Sequence, residues 1–167
     1  MSTFLNDEQK AYAEEIAAML VARGETVAVA ESSTGGLISA ALLWVAGASR
    51  YYAGGGVVYT LKSRTALAGV PADQYVNYQG TTRDMLGSLA EHMRERLGAT
   101  WAIGESGLAG PTGGRNGAPA GRTSISVVGP SPKSELLETG SSDRGENMVT
   151  FTTFGLRVLR DAIKSAG

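Results

Sequence analysis

The chain reads as an α/β protein, a three-layer α/β/α sandwich around a mixed, mostly parallel sheet of about five strands. Through the first two thirds, helical periodicities alternate with short β-branched apolar runs, the pattern of parallel strands joined by crossover helices. Two strands then follow one another with no helix between them, which requires one antiparallel strand. The hydroxyl-rich and glycine-rich loops come directly after strands. In open α/β sheets that is where ligands gather.

Taken in order, the elements support this. Asn6 followed by Gln9 forms a capping box, Asp7 and Glu8 suit a first helical turn, and Gly24 suits a stop. Helix one therefore runs from about Asp7 to Arg23, with Ala13, Ile16, Ala17 and Leu20 inward. Thr26 to Ala30 is a short buried strand. It leads through Glu31-Ser32-Ser33-Thr34-Gly35-Gly36 into an apolar helix, Leu37 to about Val45. Tyr51 to Thr60 holds a second strand, entered through Gly54-Gly55-Gly56, and Leu61 to Ala68 a short helix. Thr81 or Thr82 caps a longer helix that ends near Gly98. His92 lies beside its apolar stripe and reads as a helix-surface residue.

Thr100 to Glu105 is a third strand, followed by a loop from Ser106 to Gly117. Such a loop adds little to a core, and its place after a buried strand favours binding. Arg122 to Val128 is a fourth strand and Glu135 to Thr139 an edge strand. Asp143 with Glu146 caps the last helix.

Composition narrows the function. The 167 residues suit one domain, 1–167, and a net charge of −1 gives no basic footprint for nucleic acid. There is no cysteine and one histidine, so neither thiol chemistry nor a histidine metal site is expected, and no cofactor is implied. No signal peptide and no membrane-spanning run is read, so a cytoplasmic protein without a membrane partner is expected. The 23 glycines gather in loops, as they do where backbone approaches a small ligand.

The Ser32 turn has two chemical readings. Ser32, Ser33 and Thr34 can cap the following helix. Alternatively, a serine held in a strand-to-helix bend can act as a nucleophile, with helix-start amides favouring an anion nearby.

The turn Ala30-Glu31-Ser32-Ser33-Thr34-Gly35-Gly36 and the loop Ser106-Gly107-Leu108-Ala109-Gly110-Pro111-Thr112-Gly113-Gly114 together resemble the CinA C-terminal domain family of nicotinamide-nucleotide amidohydrolases. Gly69-Val70-Pro71, Pro119-Ala120-Gly121 and Ser142-Asp143-Arg144 fit the same family, so the resemblance covers nearly the whole chain. It implies metal-free hydrolysis of the carboxamide of nicotinamide mononucleotide to the acid and ammonia, and a homo-oligomer. The implied nucleophile is Ser32, assisted by Tyr59 and by a lysine five residues later. Here Arg64 stands at that lysine's place, with Lys62 as a spare candidate about 200° away on the helix. Arginine stays charged and takes no proton. That departure keeps a second hypothesis open, a catalytically impaired nucleotide-binding or oligomerisation module.

The expected binding residues are Glu31, Ser33, Thr34, Gly35 and Gly36 from the turn, Ser106, Gly107, Ala109, Gly110, Gly113, Gly114 and Arg115 from the loop, and Arg144. Amides near Gly35 or Gly107 are the expected oxyanion donors.

Overall fold

The computed structural model describes residues 3–167. Met1 and Ser2, at the start of the N-terminal stretch read for a signal peptide, lie outside them. Five helices and five strands follow the expected order: α1 (Asp7–Arg23), β1 (Val27–Glu31), α2 (Leu37–Trp44), β2 (Tyr52–Val57), α3 (Leu61–Ala68), α4 (Arg83–Leu97), β3 (Trp101–Leu108), β4 (Arg122–Val128), β5 (Lys133–Glu138) and α5 (Arg144–Ser165). The capping box at Asn6 and Gln9 closes as the sequence requires, and Thr82 and Asp143 cap α4 and α5.

The sheet order is β2-β1-β3-β4-β5. β1 pairs parallel with β2 and β3, while β4 is antiparallel to β3 and β5, so four strands run one way and β4 the other. The two faces differ in side-chain size. Val27, Val29, Trp101, Ile103, Ile125 and Val127 pack against α1, α2 and α5. Ala28, Ala30 and Ala102 face α4. Small residues there let α4 lie close to the sheet: a Cβ on Gly104 would stand 3.1 Å from Leu86 Cδ1 and 3.3 Å from Ala90 Cβ. Among the described residues no helix is long and apolar enough to cross a membrane.

Three boundaries depart from the expectation for physical reasons. β2 ends at Val57 rather than Thr60, because Thr60 leaves the sheet to cap α3. β3 runs on through Ser106, Gly107 and Leu108, which were expected in the loop. Pairing with Ser124, Thr123 and Arg122 of β4 supplies a ladder that serine and glycine do not signal on their own. β5 starts at Lys133, two residues early, through its pairing with Val127.

Candidate functional site

The turn between β1 and α2 is built on two fully buried carboxylates. Glu31, the last residue of β1, takes the amide protons of Gly36 (2.9 Å) and Ile38 (3.1 Å) on Oε1 and of Ser39 (2.9 Å) on Oε2. Glu105, on β3, takes the amides of Ser32 and Thr34, each at 3.0 Å, and the hydroxyls of Ser33 and Thr123 (2.8 Å). The Thr34 hydroxyl lies between them, 2.6 Å from Glu31 Oε1 and 3.0 Å from Glu105 Oε1.

This corrects the capping reading. The N-cap of α2 is Gly36, whose φ of 102° suits glycine, and no serine or threonine side chain caps the helix. Glu31 does, from within, so the helix start holds the protein's own anion and offers none of its first amides to a ligand. Glu31 and Thr34, expected to touch substrate, turn inward to hold the bend. Gly35 and Gly36 are engaged too, the Gly35 amide on Ser32 O at 3.1 Å. The oxyanion donors expected near Gly35 are therefore committed elsewhere, and Gly107 lies inside β3. Among the described residues, the Ser33 amide and the Ser32 hydroxyl enter no hydrogen bond. Sequence reasoning assigns Glu105 no role; its signal is a lone acid ending an apolar strand.

Arg64 lies on the other face of the sheet and is 2% exposed, whereas Lys62 is exposed. Its Nε donates to Val58 O (3.2 Å), Nη1 to Thr81 Oγ1 (2.9 Å) and Nη2 to Ser106 Oγ (3.0 Å). Counting on from the pairs of Ala30 with Gly56 and Gly104, Val58 and Ser106 flank Ser32 on the two neighbouring strands. A guanidinium bonded to both thus spans the end of β1, which carries Ser32. It makes no hydrogen bond to Tyr59, the partner expected for it. Tyr59 is 56% exposed, and its hydroxyl accepts from Arg144 Nη2 at 3.3 Å.

The loop from Ala109 to Gly121 forms the rim. Asn147, fully buried on α5, donates to Ala109 O (2.8 Å), and Arg144 Nη1 to Gly110 O (2.6 Å). At its root, a Cβ on Gly107 would stand 2.8 Å from Ser33 Oγ; at its tip, one on Gly80 would stand 3.1 Å from Asn116 Nδ2. The loop therefore reaches from the Ser32 turn to the segment before α4. Gly113, Gly114 and the exposed Arg115 lie along it. Two surface clefts, of about 330 Å³ by Tyr12 and Phe154 and about 380 Å³ by Arg94 and Pro130, contain none of these residues.

The fold and the turn define a three-layer α/β protein presenting a serine at a strand-to-helix bend. Residues 9–163 match the model of the CinA C-terminal domain, and the chain belongs to that family. It is 41% identical over 122 residues to a CinA-like protein of Acidobacterium capsulatum, covering 73% of this chain and 30% of that one. A putative competence-damage inducible protein of Desulforamulus reducens is 39% identical over 127 residues, with 76% and 30% covered. The chain thus spans about a third of the length of these curated relatives. Among solved structures, the competence/damage inducible protein CihA of Agrobacterium tumefaciens superposes with a TM-score of 0.89 at 25% identity, covering 98% of this chain and 99% of that one. A CinA superfamily protein of Klebsiella pneumoniae gives 0.86 at 24% identity, covering 94% and 98%, a likeness of fold.

Proposed function

We propose that this chain is a serine amidohydrolase acting on nicotinamide mononucleotide or a related amide. The observation that carries the reading is the Ser32 hydroxyl, without a partner among the described residues, on a turn whose neighbouring donors are engaged by Glu31 and Glu105. Ser32 Oγ attacks the carboxamide carbon. The Ser33 amide, next after the nucleophile, and the Arg64 charge face the oxyanion. Collapse of the adduct expels ammonia, and water then hydrolyses the ester to free Ser32 and the acid. Tyr59 is the proton carrier in this reading, held by Arg144 at the rim. With the α2 start closed by Glu31, the nucleotide phosphate falls to Arg115 and Arg144.

A second reading, a domain that binds but turns over slowly or not at all, is favoured by Arg64, which cannot accept the serine proton. General-base help is worth about 10²–10⁴-fold in rate. Ammonia release from nicotinamide mononucleotide separates the two. Ser32→Ala should fall below about 10⁻³ of the wild-type rate with the fold intact. Ser33→Ala should be much milder in rate. Reversed behaviour of the two variants would reject Ser32, and an inactive wild type that still binds the nucleotide supports the second reading.

A further inference from the structure

Beyond the serine turn, the other face of the sheet holds a charge that nothing answers. Arg64 carries five N–H donors, of which three are bonded, all to neutral oxygens. Among the described residues no carboxylate lies within 4.0 Å of it. Glu31 and Glu105 point into the opposite layer, with their oxygens already filled. A buried, unpaired cation is costly, and proteins keep one where something pairs with it.

The neighbouring hydroxyls are turned the same way by Arg64. Because the guanidinium only donates, Thr81 Oγ1 must accept from Nη1, and it also accepts from Ser106 Oγ at 3.1 Å. Its own proton is left for Tyr78 OH, 2.7 Å away. Tyr78 then accepts inside the cluster, and its own proton is unassigned. Tyr75 adds a fully buried hydroxyl that, among the described residues, has no partner in hydrogen-bond geometry. Burial pushes its phenol above the ordinary value of 10, with the Arg64 guanidinium beside it pulling the other way. Tyr75 and Tyr78 lie ring edge to ring face, 6.1 Å between centroids. The remaining donors of Arg64 and the two phenols thus share one cluster.

We propose that Arg64, Tyr75, Tyr78, Thr81 and Ser106 form a binding site for a small oxyanion, a carboxylate or a phosphate. Donors without acceptors call for a ligand that only accepts, and a delocalised guanidinium suits planar or tetrahedral oxyanions. The site stands without hydrolysis. Where Ser32 does cleave an amide, the carboxylate formed lies at the end of β1 that Arg64 spans, so the acid is held more tightly than its neutral amide.

The test is calorimetric titration of the full chain at pH 7 and fixed ionic strength with inorganic phosphate, nicotinate and nicotinamide. At least one oxyanion should bind saturably and about tenfold or more tighter than nicotinamide, nicotinate identifying a carboxylate site and phosphate a phosphate site. Arg64→Met should lose that binding. Tyr75→Phe, which keeps the ring, should weaken it about threefold or more. Ser32→Ala should lose ammonia release and keep oxyanion binding, so the two proposals can fail separately. The oxyanion site is overturned by the absence of saturable binding, by equal affinity for nicotinate and nicotinamide, or by undiminished binding in folded Arg64→Met. If Arg64→Met does not fold, undiminished binding in Tyr75→Phe overturns it.

Discussion

Two buried charged groups face away from each other across the end of β1. On one side Glu31 and Glu105 have filled their oxygens with amides and hydroxyls of the turn. On the other, Arg64 keeps donors unassigned and has no counter-charge among the described residues. The difference separates scaffold from site. A buried charge whose hydrogen-bonding capacity is filled holds a backbone in place. One left open is where a ligand has something to gain.

Removing each charge is the strongest way to break the comparison. Glu105→Ala strands the amides of Ser32 and Thr34 and the hydroxyls of Ser33 and Thr123. We expect it to lower unfolding free energy by about 3 kcal/mol or more. Arg64→Met removes a charge with no ionic partner and fills the space with apolar atoms, so its stability should stay within about 1 kcal/mol of wild type or rise. Urea denaturation of both variants without added oxyanion checks this. Similar losses in the two would mean that Arg64 is as much scaffold as Glu105.

A chemical version of the contrast exchanges Arg64 for lysine, the residue the family resemblance implies there. A desolvated lysine can lose its proton near neutrality and an arginine cannot. Arg64→Lys should therefore raise amide hydrolysis at pH 7 by about 10²-fold if the base is the missing element. Rates measured from pH 6 to 10 on one substrate would show it. A wild type already at full rate at pH 7 and unimproved by lysine would move the proton transfer to another group.

Much of this architecture could be read from residue patterns, because caps and periodicities are local. Asn6 with Gln9, Thr82 and Asp143 stop or start helices through bonds within three residues, and all three do so here. The Ser32 turn stood out for its composition. What the sequence hid was partnership over distance. Glu105 reaches the turn from 71 to 73 residues away in the chain, and Thr81 meets Arg64 from 17. Glu31, expected to touch substrate, is instead drawn inward by amides up to eight residues on. Tyr75 and Tyr78 went unnoticed because nothing local distinguishes them from surface aromatics.

The same contrast recurs in two buried phenols. Tyr51, on the bulky face, donates its hydroxyl to Leu42 O, while Tyr75, on the other, has no partner in hydrogen-bond geometry among the described residues. Burial pushes the Tyr51 phenol up to about 12 from 10. The folded state thus holds its proton longer than the unfolded chain. The stability this gives is complete below pH 10 and is lost as pH rises from 10 through 12, roughly 3 kcal/mol in all. Tyr51→Phe should be less stable than wild type at pH 7, by about 1 kcal/mol, and should show a flatter decline in alkali. Urea midpoints at pH 8, 10 and 11 test this; parallel declines would show that Tyr51 does not titrate across the transition.

The smallest expected effect is the one that sharpens the site most. Lys62 is two residues before Arg64 on α3 and was the spare candidate for the base. A helix turns about 100° per residue, so two residues two apart cannot share a face. Arg64 takes the inner one, held by Val58, Thr81 and Ser106, and Lys62 is left in solvent. Its exposed ammonium lies on the side of α3 turned away from Ser32. Lys62→Met should therefore leave amide hydrolysis within about twofold and stability within about 0.5 kcal/mol of wild type. Should Lys62→Met instead lose tenfold or more in rate at pH 7 while Arg64→Met does not, the outer face of α3 carries the chemistry. Arg64 would then retain only its part in binding an oxyanion.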